Sequence, residues 1–179
     1  MRIIGGELGG RRVHPPAKMP YTRPTTDIAK EGLFNILENN LDVAALKTLD
    51  LFGGTGSISY ELASRGARDL TVVEKDPAMF AFIEKSVKEL GLSAFFKVIR
   101  MDVFRFIGQC TDTFDFIFAG PPYALATIDE LPPRVAPLLN DKGWFVLEHT
   151  PRNNYEGYPL YVTQRNYGTT VFSIFVKKV

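Results

Sequence analysis

The sequence predicts an α/β protein: a doubly wound, mostly parallel sheet with a C-terminal antiparallel hairpin, plus a small N-terminal β-hairpin and helix. Three observations carry that reading. Short apolar runs alternate with helix-period stretches between residues 48 and 149, the pattern of a parallel sheet covered on both faces. A glycine loop, Gly53-Gly54-Thr55-Gly56, directly follows the first of these runs. The tail then changes character: residues 158–166 and 169–177 read as strands joined at Tyr167-Gly168, as in a hairpin.

Taken in order, residues 1–14 read as two short strands around Gly5-Gly6 and Gly9-Gly10, with Arg11-Arg12 following. A proline-punctuated loop over 15–24 carries Lys18, Tyr21 and Arg23. Thr25-Thr26-Asp27 opens a helix, with an acid near its positive end. Ile28, Leu33, Phe34, Ile36 and Leu37 keep helical spacing to about Asn40. Residues 49–52 form a buried strand before the glycine loop. Ile58, Leu62 and Ala63 share a helix face that Arg65-Gly66 closes. A second strand, 70–73, ends on Glu74. Pro77-Ala78 opens a helix that runs to Leu90 and stops at Gly91, proline inside the start and glycine past the end. The third strand, 95–101, ends at Asp102 and a short helix follows over 103–107. The fourth, 114–119, runs into Gly120-Pro121-Pro122-Tyr123. Helical residues cover parts of 127–139, interrupted or restarted at Pro132-Pro133, and 143–149 is the fifth strand. The whole is one domain, 1–179, with 1–24 a basic N-terminal extension.

Composition narrows the class. The chain has 179 residues, 45% hydrophobic and 23% charged, enough for one sizeable core. No apolar run approaches the roughly 18–20 residues that cross a bilayer. The N-terminal apolar run is too short for a secretory signal, so a cytoplasmic location is expected. Cys110 is the single cysteine, which excludes an internal disulfide or thiolate cluster, and with only His14 and His149 no protein-built metal site is expected. A monomer is the default. Net charge is +1, but residues 1–30 hold six Lys or Arg against two acids, 150–179 hold four against one, and 31–149 hold eleven against seventeen. Basic ends around an acidic centre place a positive rim beside a pocket, or are simply solvated termini; charge alone leaves both open.

The chemistry gathers at the carboxyl ends of the strands, where open α/β sheets bind ligands. Glycines let a ligand approach the backbone, and a helix start offers unpaired N–H groups. Glu74, some 20 residues past the loop, suits a ribose. A nucleoside-bearing cofactor is the simplest occupant. The dinucleotide fingerprint fails, because Ser59 stands where its third glycine belongs. Asp50 before the loop suits a cationic amino acid end rather than a pyrophosphate. Asp102 can accept from an adenine amine, with Val103 or Phe104 against the ring, or cap the next helix, and both can hold together. After the fourth strand two prolines stiffen a turn whose carbonyls can accept from an exocyclic amine, and Tyr123 offers a face for a base.

Asp50-x-Phe52-x-Gly54-x-Gly56 resembles the first motif of S-adenosylmethionine-dependent methyltransferases. The whole chain resembles the bacterial 16S ribosomal RNA guanine-N2 methyltransferases, through MRIIGGELGGRRV, RPTTDIAKEGLFNIL, DLFGGTGSISYELASRGA, VEKD, FDFIFAGPPY, WFVLEH and RNYGTTVFSIF. That resemblance implies a Rossmann-like methyltransferase acting on small-subunit ribosomal RNA with S-adenosyl-L-methionine. It implies that Asp50, Gly54 and Gly56 line the methionine end, Glu74 the ribose and Asp102 the adenine, with Phe52, Lys75, Val103 and Thr26 also at the cofactor. Arg23 to Thr26 lie near the cofactor carboxylate and the RNA. Arg11, Arg12 and Arg165 contact phosphate or are solvated. Gly120, Pro121, Pro122 and Tyr123 form the catalytic turn, Tyr123 stacking on a flipped guanine.

One residue departs from the family pattern. The family carries Asp or Asn before Pro-Pro-Tyr, whereas this chain has Gly120. The missing oxygen accepts from the target amine. Three explanations stand: a slower enzyme, rescue by water or a nearby acid such as Glu148, or a cofactor- and RNA-binding protein with weak or no turnover. A nicotinamide oxidoreductase, from the glycine loop alone, and a DNA adenine methyltransferase, from the shared turn, are the other classes.

Overall fold

This computed structural model describes residues 1–17 and 24–178. The chain runs α1 (Asp27–Asn40), β1 (Lys47–Leu51), α2 (Ser57–Ser64), β2 (Asp69–Val73), α3 (Pro77–Glu89), β3 (Phe96–Ile99), α4 (Val103–Gln109), β4 (Phe114–Ala119), α5 (Leu131–Val135), β5 (Leu139–His149), β6 (Tyr161–Tyr167) and β7 (Thr170–Val176). The seven strands form one sheet in the order β3-β2-β1-β4-β5-β7-β6. β1 to β5 pair in parallel, and β7 enters antiparallel beside β5 with β6 outside it. The expected doubly wound sheet and closing hairpin are both present.

Period-two burial divides the core. Phe116, Phe118 and Val146 face a cluster with Leu33 and Phe34 of α1, Tyr60 of α2 and Ile83 of α3. Their neighbours Ile117, Ala119 and Leu147 face a second cluster with Val103 of α4 and Leu131 of α5. Both faces of these strands are covered, so the runs read as continuously apolar.

Several boundaries differ from the sequence reading, among them the third strand, Phe96–Ile99 rather than 95–101, and β6, Tyr161–Tyr167 rather than 158–166. The N-terminal hairpin is short: one antiparallel bridge, Arg2 with Arg12, flanked by cross-strand hydrogen bonds from Ile3 N–H to the Arg11 carbonyl, Gly10 N–H to the Ile3 carbonyl and Val13 N–H to the Met1 carbonyl. Near its turn it also leans on α2: Ile4 and Gly5 N–H groups donate to the Glu61 carboxylate, each at 2.9 Å. β5 starts at Leu139 rather than 143, because a register irregularity, with Lys142 at φ 67°, lets pairing resume after a break. The 127–139 stretch resolves into 3-10 turns on either side of α5, with Pro132 and Pro133 in the first turn of α5, where their missing N–H groups cost nothing.

α2 links the N-terminal arm to the sheet's ligand-binding end. Lys30 on α1 is buried and donates to the Arg2 carbonyl at 2.6 Å and to Ser57 Oγ at 3.1 Å, with Glu61 Oε1 at 3.5 Å. Ser64 Oγ donates to the Gly5 carbonyl at 2.6 Å and accepts from Leu8 N–H at 2.9 Å. Among the described residues no helix is long and apolar enough to cross a membrane.

Candidate active site

The sheet reverses its strand order between β1 and β4, and the loops leaving those two strands part to open a cleft of about 980 Å³. Such a switch point is where open α/β sheets bind ligands. The loop after β1 makes one wall. Phe52 is held at φ 61°, Gly54 at 58° and Gly56 at 83°. Left-handed backbone is strained for a residue as bulky as Phe52, and such strain of about 1–3 kcal/mol concentrates at functional sites. Gly56 has no alternative: a Cβ there would stand 2.4 Å from Tyr60 Cζ.

Two acids face this wall. Asp50 ends β1 at 3% exposure and accepts a 2.7 Å hydrogen bond from Ser59 Oγ. Burial pushes its carboxyl up to about 7, the Ser59 hydrogen bond opposes that rise, and the Glu74 charge adds to it. The burial that penalises a lone carboxylate favours one paired with a cation. Glu74, after β2, accepts from Gly54 N–H at 2.9 Å through Oε1 and from Asp76 N–H at 2.8 Å through Oε2. It therefore ties the glycine loop to the end of β2 while lining the cleft. Asp76 caps α3 by accepting from Met79 N–H at 2.9 Å.

The opposite wall is Gly120 to Tyr123, with Glu148 from the end of β5 and Thr25 from the segment before α1. Gly120 N–H donates to the Leu51 carbonyl at 3.4 Å, which joins the ends of β4 and β1. The Glu148 carboxylate accepts from Thr25 Oγ1 at 2.6 Å and from Tyr123 Oη at 3.1 Å. It is 5% exposed.

Of the residues singled out in the sequence, Asp50, Phe52, Gly54, Glu74, Lys75, Val103, Gly120, Pro121, Pro122 and Tyr123 all line this one cleft. Gly56 lies behind it as the left-handed N-cap of α2. Asp102 caps α4, accepting from Arg105 N–H at 3.1 Å, and Thr26 caps α1, accepting from Ala29 N–H at 3.2 Å. Arg11 and Arg12 are exposed on the N-terminal arm, and Arg165 is exposed on β6, bonding Thr163 and the Gln164 carbonyl. Arg23 lies outside the described residues, as do Lys18 and Tyr21. The sequence reading passed over Met79 and Phe118, which also line the cleft. Each carries only a core signature, helix-face spacing in one case and strand alternation in the other.

A glycine turn and a Pro-Pro-Tyr turn thus face each other across the sheet's switch point, and solved structures share this fold. A Thermus thermophilus structure, described as a hypothetical protein, superposes with a TM-score of 0.83 at 28% identity, covering 100% of this chain and 99% of that one. The RNA methyltransferase from Salinibacter ruber in complex with S-adenosyl-L-homocysteine shares the fold at 14% identity, with a TM-score of 0.69 over 87% of this chain and 94% of that one. The chain belongs to the family described as Conserved hypothetical protein 95, which matches residues 1–176. It is also 32% identical over 148 residues to ribosomal RNA small subunit methyltransferase D of Escherichia coli K12, spanning 83% of this chain and 71% of that protein.

Proposed function

We propose that this protein methylates the exocyclic N2 amine of a guanine in small-subunit ribosomal RNA, using S-adenosyl-L-methionine. The observation that carries the reading is a single cleft joining the Asp50–Glu74 wall to the Gly120–Tyr123 wall. Its volume is at the upper end of small-molecule sites, roughly 300–1,000 Å³. That leaves room for a nucleoside cofactor and one extruded base. Family membership and the ribosomal RNA methyltransferase relative support the same class of substrate.

The residues fit that cofactor. Asp50 offers a buried carboxylate to an ammonium, Glu74 a carboxylate to ribose hydroxyls, and Val103 an apolar contact to a purine. When bound, S-adenosylmethionine supplies a methyl group already activated by the sulfonium. The protein's own part is positioning. The stiff Pro121-Pro122 turn presents carbonyls to the incoming amine, and Tyr123 supplies a ring face against which the base rests. Holding amine and methyl in line accounts for most of the acceleration such a site can offer. The exposed arginines 11, 12 and 165 give the RNA phosphates a basic rim.

Tritiated S-adenosylmethionine incubated with undermethylated 30S subunits tests this. Incorporation into a single guanine N2 is expected, and no incorporation by the natural chain would sink it; strong incorporation by Gly120→Asp beside that result would leave only the binding role. Gly120 also motivates a second reading, a protein that binds cofactor and RNA without turnover. That reading predicts tight S-adenosylhomocysteine and RNA binding with no transfer even in a single turnover.

A further inference from the structure

We infer that Glu148 takes the place of the acceptor missing at position 120, receiving a hydrogen bond from the target amine and the proton that amine releases. The inference rests on the methylation reading above and gives its turn a working acceptor.

The geometry is specific to this chain. A Cβ at Gly120 would lie 3.9 Å from Glu148 Oε1 and 3.1 Å from Phe118 Cε1. The Glu148 carboxylate thus borders the space that an acid or amide at 120 occupies in relatives of the Pro-Pro-Tyr pattern. It is buried, lines the cleft, and is oriented from both sides by the hydroxyls of Thr25 and Tyr123. A carboxylate offers about four acceptor sites, so hydroxyl contacts and an amine on the cleft side are compatible. The other acids of the cleft stand on the wall opposite Gly120: Asp50 and Glu74 about the glycine loop and Asp76 at the cap of α3. Tyr123 joins the two roles, since the ring proposed to bear the base is anchored by its hydroxyl to the same carboxylate.

The chemistry needs such a group. The guanine amine is a weak nucleophile because its lone pair is delocalised into the ring. An acceptor on one N–H turns the lone pair toward the methyl. The nitrogen then forms the N–C bond with that pair, the C–S bond breaks with its electrons left on sulfur as a neutral thioether, and the nitrogen's extra proton passes to Glu148 and from there to water. No further reactant is required.

A two-by-two cycle tests the inference: the natural chain, Glu148→Gln, Gly120→Asp and the double variant, each in single-turnover transfer to undermethylated 30S subunits. S-adenosylhomocysteine affinity and thermal midpoint are read alongside, and both are expected to stay within about twofold and a few degrees. Glu148→Gln leaves one acceptor oxygen, to be shared with the Thr25 and Tyr123 hydroxyls, and no base for the proton, so transfer is expected to slow by about 100-fold in the Gly120 chain, the scale of one lost transition-state group. In the Gly120→Asp chain, where the new carboxylate does the work, the loss is expected to be under about tenfold. Equal losses in both backgrounds make Glu148 a structural group and overturn the inference. So does transfer by Gly120→Asp alone with none by the natural chain, which leaves only the binding role of the second reading. Transfer by none of the four overturns both.

Discussion

Ser59 Oγ donates a 2.7 Å hydrogen bond to Asp50 Oδ2. The residue that breaks the dinucleotide glycine pattern is therefore the one that orients the acid at the end of β1. In the dinucleotide pattern a glycine at this place lets helix and strand pack closely, whereas this buried serine sets a hydroxyl against the Asp50 carboxylate.

That pairing predicts a pH dependence. Burial raises the Asp50 carboxyl to about 7 in the folded protein, so the protonated form favours folding. Its stabilising contribution is complete below the ordinary carboxylate range and disappears as pH rises through about 7. Asp50→Asn should therefore raise the thermal midpoint more at pH 8 than at pH 5. A bound ammonium reverses the preference, because it requires the carboxylate. S-adenosylhomocysteine affinity should fall by roughly five- to tenfold between pH 7.5 and 6, and calorimetry should show proton release at pH 6. A flat affinity profile in the natural chain would place the ammonium away from Asp50.

Glu74 gives a second prediction, because it bonds two backbone N–H groups and faces the cleft at once. Glu74→Gln turns an amide donor toward one of those N–H donors and removes the charge. We expect a stability loss of about 1–2 kcal/mol and S-adenosylhomocysteine affinity weakened by at least about tenfold, the equivalent of one hydrogen bond to a charged group. Denaturant titration and calorimetry separate the two effects. Lost stability with unchanged affinity would assign Glu74 to the loop alone.

The sheet and most of the cleft are legible in the sequence because their signals are local. The fourth strand reads as 114–119 and stands at Phe114–Ala119, since its apolar run, the aspartate-threonine stretch before it and the glycine after it all lie within a few residues. The N-terminal segment is only partly legible for the opposite reason. Its paired glycines suggest a hairpin, and cross-strand bonds such as Ile3 N–H to the Arg11 carbonyl are made, but the Ile4 and Gly5 N–H groups are satisfied by Glu61, 57 residues from Ile4 and 56 from Gly5. A buried acid inside α2 carries no mark of that distant role. Lys30 is equally hidden, a charge in a helix whose polar face looks able to solvate it.

The Glu61 contacts make the arm testable. Arg65, Lys30 and two backbone N–H groups converge on this one carboxylate. Burial pushes its pKa up, but these partners outweigh that and hold it below the usual range. Its contribution is therefore present above about pH 4.5 and lost as pH falls further. Glu61→Ala should cost about 3–5 kcal/mol, as expected when one partner of a buried ion pair is removed, and should expose Arg11 and Arg12 to trypsin in the folded protein. Gly6→Ala reaches the same end from the other side, because its Cβ would stand 2.0 Å from the Ser64 carbonyl oxygen. If both variants keep the arm resistant to trypsin, other contacts hold it.

Tyr123 separates ring from hydroxyl. Its oxygen is 3.1 Å from Glu148 Oε2, while its ring lines the cleft. Tyr123→Phe keeps a face for the base and removes one of the hydroxyls that orient Glu148, so transfer should slow by about three- to tenfold, near 1 kcal/mol, with RNA affinity unchanged. Tyr123→Ala also removes the stacking surface, which for a base on an aromatic ring is worth about 1–3 kcal/mol. That second loss should appear mainly as weaker productive binding of RNA, measured as a higher half-saturating 30S concentration in single-turnover transfer. If alanine and phenylalanine have the same effect, the ring bears no base, and the hydroxyl's hold on Glu148 is the whole contribution of Tyr123.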